Sequence, residues 1–205
     1  MNAVEKEAQQ TLPAIGRAYG GGFVTGITRD PETGERHLWI TAGAAHELEG
    51  EWGPRGLKIN GADSFTNSRA NTEAMAAAGS ELAQKVLKLE IGGFTDWAIP
   101  ARDVQELQYR HFKPTTEANY CWNRDGENPN SDPVGLLYTE ESPGQTVHEA
   151  FRAGAPESFQ RAWYWSSSQR SANGAFSLLF DDGLQDYDVK LYELRVRPVR
   201  SEIIQ

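Results

Sequence analysis

The spacing of apolar residues changes character several times along the chain, and each change predicts an element. Phe23-Val24-Thr25-Gly26-Ile27-Thr28, the turn Asp30-Pro31-Glu32-Thr33-Gly34 and His37-Leu38-Trp39-Ile40-Thr41 predict a β-hairpin, with Pro and Gly where turn chemistry wants them. Between Ser68 and Leu89, Ala70, Ala74, Ala78, Leu82 and Val86 recur every fourth residue, which predicts one helix with Asn67 or Ser68 as its N-cap. A shorter helix should follow Pro100, whose ring pre-sets the first turn, with Asp103 and Glu106 near the positive end of its dipole. Its cap position, Ala101, offers no side-chain acceptor. From Pro114 to Phe159 periodicity is thin and Asn, Asp, Pro, Gly and Ser abound, which predicts a long ordered excursion with little regular structure. Strands then return over 162–168, 174–180 and 192–200. In the last of these Leu194, Val196 and Pro198 alternate with Arg195, Arg197 and Val199, so one face should be buried and Pro198 belongs at an edge or a bulge. Residues 3–10 offer only Val4 and Ala8 as apolar points, and residues 1–17 are expected to be an arm rather than part of the domain at 18–205.

Composition narrows the function classes. Twenty Lys and Arg against 29 Asp and Glu give a formal net charge of -9, which works against a broad phosphate-binding surface, so no nucleic-acid partner is expected. Cys121 is the sole cysteine, which excludes an intrachain disulfide and a thiolate-rich metal site. No run approaches the roughly 18 apolar residues of a membrane span, and the start lacks the basic-then-apolar pattern of a signal peptide. Synthesis in a cytoplasm without an export signal, and no membrane insertion, are the expectations. Twenty Gly, ten Pro and 10% aromatic residues describe a fold rich in turns and short strands.

Motifs of chemistry are scarce. No nucleophile elbow, metal-binding His-Glu-x-x-His helix or P-loop occurs, and Gly20-Gly21-Gly22 precedes a strand rather than joining strand to helix. His37, His46, His111 and His148 are far apart in sequence, and surface or structural roles are expected for them. Asn123, Asp125, Gly126 and Asp132 fall at calcium-loop offsets, but position one is Cys121 and position twelve is Asp rather than a bidentate Glu. A turn-rich loop is the reading, with calcium as the alternative; otherwise no metal and no cofactor is expected. Asp181, Asp182, Asp186 and Asp188 crowd into eight positions and read as a solvated hairpin turn before a cation site.

A more specific set of residues is Gly92-Gly93-Phe94-Thr95-Asp96-Trp97-Ala98-Ile99-Pro100-Ala101-Arg102-Asp103 with Leu107, then Tyr164-Trp165-Ser166-Ser167-Ser168, Phe180-Asp181-Asp182-Gly183 and Arg195-Val196-Arg197-Pro198-Val199-Arg200. In order and spacing these resemble the DUF1566 family, also described as the C-terminal domain of the Legionella collagen-like adhesin, over about residues 18–200. Ala101 and Val104 depart from that family's usual Ser or Thr and Glu. The resemblance implies an α+β, C-type-lectin-like fold with two helices, a twisted antiparallel sheet that brings the chain ends together, and a long loop region that carries binding. Trp97 and Ile99 would be core, and Trp165 to Ser168 a strand with alternate side chains buried.

That fold is shared by adhesins, by diversified variable proteins and by formylglycine-generating enzymes, so fold alone does not choose among them. The enzyme branch uses active-site cysteines, and one cysteine does not meet that need; no catalytic residue is expected. The resemblance extends to stand-alone family members of phage tails. It implies a virion protein, homo-oligomeric and attached by residues 1–17 to other tail proteins, that recognises a host-surface glycan or protein. The expected surface is Tyr120, Trp122, Asn123, Asp125, Asn128 and Asn130 from the long loop, with Gln169, Arg170, Asn173, Gln185, Asp186, Tyr187 and Asp188 from the C-terminal hairpins. Rigid aromatics beside adaptable Asn, Gln and Asp suit recognition. The rival expectation is a structural tail-tip, collar or capsid-decoration component that uses the same domain for protein contact alone.

Overall fold

The computed structural model describes residues 12–122 and 124–205; the arm expected over residues 3–10, and Asn123, lie outside the described residues. A two-residue strand β1 (Ala18–Tyr19) leads into the expected hairpin, β2 (Gly22–Arg29) and β3 (Arg36–Thr41). Asp30 Oδ1 accepts from the N–H groups of Glu32 and Thr33, so the Asp of the turn supplies the closure its sequence advertises. Residues 12–17 do not behave as an arm. Leu12 and Ile15 pack on Val24, Leu38 and Ile204, and the Gly16 N–H donates to the Val24 carbonyl at 2.8 Å.

A short strand β4 (Leu48–Glu51), which no pattern announced, precedes the helices. The single helix expected over 68–89 is two, α1 (Ser68–Ala77) and α2 (Glu81–Val86). Four-residue spacing runs straight across the break because it registers faces and not caps. Gly79 takes φ +101°, and Ser80 caps α2 by accepting from the Ala83 N–H while its own hydroxyl donates to the Trp52 carbonyl at 2.7 Å. Asn67 caps α1 as expected, through the Ala70 N–H.

Helix α3 (Arg102–Phe112) starts after Pro100 with no cap from Ala101, and distant elements complete its first turn. The Ala101 N–H donates to Ser68 Oγ, the Arg102 N–H to Ser168 Oγ and the Asp103 N–H to the Phe65 carbonyl. The helix lies between two sheets. Val104 and Leu107 pack on Trp39 and Val199, while Tyr109 and Phe112 enter an aromatic cluster with Phe159, Tyr164 and Phe180. Its buried polar residues bridge the same layers: Gln105 donates to the Tyr164 carbonyl, and Gln108 to Thr41 Oγ1 and the Arg197 carbonyl.

The remaining strands are β5 (Trp163–Gln169), β6 (Gly174–Leu179), β7 (Gln185–Val189), β8 (Glu193–Val196) and β9 (Val199–Ile204). One sheet has the order β1-β2-β3-β9 and the other β4-β8-β5-β6-β7; the pairings are antiparallel except β5 with β8. The protein is thus α+β, with three α-helices and two largely antiparallel sheets among the described residues. The strand expected across 192–200 breaks at Arg197-Pro198, where the chain leaves one sheet for the other, and a residue without an N–H fits a position between ladders.

The expected alternation along β5 does not occur: every side chain from Tyr164 to Gln169 is buried. This strand is central, with Trp165 in the core under α1 and α2 and Tyr164 in the aromatic cluster. The serines that follow are satisfied internally, Ser166 Oγ donating to the Phe176 carbonyl and Ser168 Oγ to the Ser64 carbonyl. Trp97 and Ile99 are core residues, as anticipated.

Residues 114–159 contain one short 3-10 turn, Glu149–Phe151, and are ordered by side chains instead. Asn119 accepts from the Tyr109 hydroxyl and donates to the carbonyls of Thr139 and Pro143. Gly126, at φ +82°, fits against the Tyr138 ring, and a Cβ there would run into that ring. Gly126→Ala is expected to lower the unfolding free energy by roughly 2 kcal/mol, from left-handed backbone plus overpacking. A urea midpoint equal to that of the parent protein would refute this.

Candidate functional site

Three contacts draw the long loop onto the second sheet. The Tyr120 N–H donates to the Asp182 carbonyl at 2.7 Å, the Gly126 N–H to Gln185 Oε1 at 3.0 Å, and the Gln185 N–H to Asp125 Oδ1 at 3.0 Å. The last two form a reciprocal clamp between the loop and β7. Beside it opens a groove of about 550 Å³ lined by Arg102, Tyr120, Arg124, Asp125, Arg170, Phe176, Leu184, Gln185, Asp186 and Tyr187. Two parts of the chain separated by some fifty residues therefore share one concave surface.

The groove combines aromatic rings with arginines laid on them. The Arg170 guanidinium carbon, in the β5–β6 turn, sits 3.9 Å from the Tyr187 ring centroid. That of Arg102, at the start of α3, lies 4.8 Å from Phe65 and 5.5 Å from Phe176, which meet edge to face. Arg124 is ion-paired with Glu127. Burial holds the Asp125 carboxyl above the usual range, helped by repulsion from Asp182 and Asp186 and opposed by the Gln185 N–H.

Six of the thirteen residues expected at the surface line this groove: Tyr120, Asp125, Arg170, Gln185, Asp186 and Tyr187. Asp125 contributes little contact area, since it is buried by its clamp with Gln185. Trp122 is 70% exposed but outside the lining, and Asn123 lies outside the described residues. Asn128 and Gln169 are corrections, because each side chain is buried and committed to the fold, whereas Asn130 is half-buried outside the lining. Asn128 is fully buried and donates to Glu106 Oε2 at 2.7 Å and to the Asp103 carbonyl. Gln169 is buried against Ile59, accepting from its N–H and donating to its carbonyl, and it also accepts from Lys190 Nζ. Asn130 donates to Asp103 Oδ2. Asn173 is exposed and outside the lining. Asp188 lies outside it too, accepting from Ser177 Oγ.

The acidic run is not a turn throughout. Only Asp181 and Asp182 lie in the turn, and 185–188 belong to β7. Its four carboxylates have separate duties: Asp181 pairs with Arg161, Asp182 accepts from the Leu184 N–H, Asp186 from the Tyr187 N–H, and Asp188 from Ser177. The calcium-like offsets also diverge, Asp125 facing Gln185 and Asp132 facing Arg29 and Arg36. Among the described residues no group of three or more His, Cys, Asp or Glu is placed to hold a metal ion.

Sequence reasoning missed Arg102, Arg124, Phe176 and Leu184. Arg102 did carry a signal. A cation at the first position of a helix opposes the dipole, so its presence there marks a side chain retained for another contact.

No family profile matches the chain, and no curated protein matches it in sequence. Among solved structures, a fimbrial protein from Bacteroides ovatus is similar with a TM-score of 0.45 and 10% identity over 87% of this chain. The chain spans 43% of the length of that fimbrial protein.

Proposed function

We propose that this protein is a binding protein rather than an enzyme, and that the groove between the long loop and the β5–β6–β7 turns recognises a saccharide on a host surface. The observation that carries the reading is the convergence of exposed Tyr120 and Tyr187 with three arginines and the Gln185 amide in one concavity. Flat rings bind the apolar face of a sugar while amides and guanidinium groups take its hydroxyls. A C-type-lectin-like fold belongs to this proposal. It is supported by the pairing of the first hairpin with the last strand, β3 with β9, and by a long loop held by side chains on the second sheet. The phage-tail setting, with attachment to other tail proteins and homo-oligomeric assembly, belongs to it as well and derives from the sequence resemblance.

Replacing Tyr187 and Tyr120 together by Ala tests the groove. Both rings are over a third exposed, so the double variant is expected to weaken saccharide binding about tenfold or more, read by calorimetric titration, with an unchanged thermal midpoint. Intact binding, or a large fall in that midpoint, defeats the reading.

One observation favours a second reading, a structural component that makes protein contacts. Val134, Leu136, Leu137 and Val147 are each more than half exposed, and none lines the groove. Exposed apolar residues gathered on one loop region suit a protein interface. A particle copy number that follows tube or capsid symmetry would support this reading over the first.

A further inference from the structure

Two of the three arginines of the groove, Arg170 and Arg102, lack the close carboxylate that most arginines of the described residues have. From Arg29 to Arg200, most arginines of the described residues rest against a carboxylate, as Arg110 does on Glu106 and Arg197 on Glu47. Arg170 is exposed, stacked on Tyr187, and has no ion-pair or side-chain hydrogen-bond partner among the described residues. Arg102 is stacked on Phe65 and Phe176, and its nearest carboxylate, on Asp103, is 4.0 Å away. Stacking occupies the faces of a guanidinium and fixes its plane. Among the described residues the guanidinium donors of Arg170 make no hydrogen bond and those of Arg102 make only the long contact to Asp103, which leaves open the fork that matches a carboxylate.

The acids of the groove do not satisfy them. Asp125 accepts from the Gln185 N–H and Asp186 from the Tyr187 N–H, so both carboxylates are turned to backbone. The lining sets three arginines, Arg102, Arg124 and Arg170, against two carboxylates, Asp125 and Asp186, a small positive excess in a chain with net charge -9. The acidic run 181–188 beside them sets an upper limit on ligand charge, because a densely charged polymer would meet Asp181, Asp182 and Asp188 as well.

We propose that the groove selects a saccharide bearing isolated carboxylates, of uronic or sialic acid type, with Arg170 and Arg102 taking the carboxylate and Tyr120 and Tyr187 the sugar ring. The inference rests on the saccharide reading above and names the ligand class of that same site.

The test titrates the full chain with sialyllactose against lactose, and with oligogalacturonate against the same oligomer after chemical reduction of its carboxyl groups. One acidic member is expected to bind at least about tenfold tighter than its neutral partner, with the difference shrinking as salt is raised. Arg170→Gln should remove the preference while leaving the thermal midpoint unchanged, and Arg170→Lys should restore it in part, because charge returns without the fork. Equal binding of acidic and neutral members, with loss in the Tyr187 and Tyr120 double variant, overturns the acid selectivity and leaves the saccharide groove standing. A preference that survives Arg170→Gln also overturns it. No binding of any member overturns both.

Discussion

Glu47→Ala should lower the unfolding free energy by about 3–5 kcal/mol. Arg197 is 1% exposed and its Nε and Nη2 both donate to Glu47 Oε2, at 3.0 and 2.8 Å. Glu47 Oε1 accepts from Arg195 at 2.9 Å, and the Tyr164 hydroxyl donates to Oε2 at 2.9 Å. One carboxylate thus ties the segment before β4 to β5 and to the crossing between β8 and β9. Its removal leaves a guanidinium in the core with only the Glu157 and Ser158 carbonyls and the Phe159 ring. Domains of this kind are stable by about 5–15 kcal/mol, so the variant should unfold near the bottom of the denaturant range of the parent. The cost comes mainly from the stranded charge and not from the lost attraction. Glu47→Leu combined with Arg197→Met should therefore recover much of it, and a double variant no more stable than Glu47→Ala alone would refute that account.

Much of the secondary structure was legible where local rules govern. The first hairpin, the Asn67 cap, the start of α3 after Pro100 and the irregular 114–159 stretch follow from turn chemistry, caps and composition, which act within a few residues. What was not legible depends on long-range burial. The serines of β5 look like an exposed face, and only a position in the middle of five strands buries them. Glu106 and Gln108 look like the wet side of a helix, yet α3 runs between two sheets and both are buried. Asn123, Asn128 and Asn130 look like ligand contacts because Asn is common in binding loops, yet Asn128 is a pin that holds the loop down, as is Asn119, which the sequence does not single out. The half of the candidate surface that did assemble, Tyr120 with Tyr187 and Arg170, was reachable because exposed aromatics and arginines have few structural reasons to sit on turns. Its arginine partner on α3 required knowing that Phe65 and Phe176 meet.

Acidification should destabilise the protein through His111, and this is the second large effect expected. Burial pushes the imidazole down from its ordinary value to about 4, helped by the neighbouring Arg110 and His148 charges. The unfolded chain takes up the proton near pH 6.5 and the folded chain only near 4. The neutral ring therefore favours the folded state fully above pH 6.5, and that contribution is lost as pH falls from 6.5 toward 4, by about 3 kcal/mol in all. Asp103, Glu106 and Asp125 act with the opposite sign. Burial raises each carboxyl, so the stability they confer is present below their unfolded values and is lost as pH rises through the folded ones. The net pH profile mixes the two, and His111→Asn separates them, because it deletes the imidazole titration. Its stability, measured by urea unfolding at pH 7 and at pH 4.5, should fall less on acidification than that of the parent by about 2 kcal/mol or more. His148→Asn should change the profile much less, since that ring is less buried and burial is what pushes both imidazoles down. Parallel profiles for the parent and His111→Asn would mean that the folded chain opens a water path to the ring before it protonates, and that burial at this position costs the cation nothing.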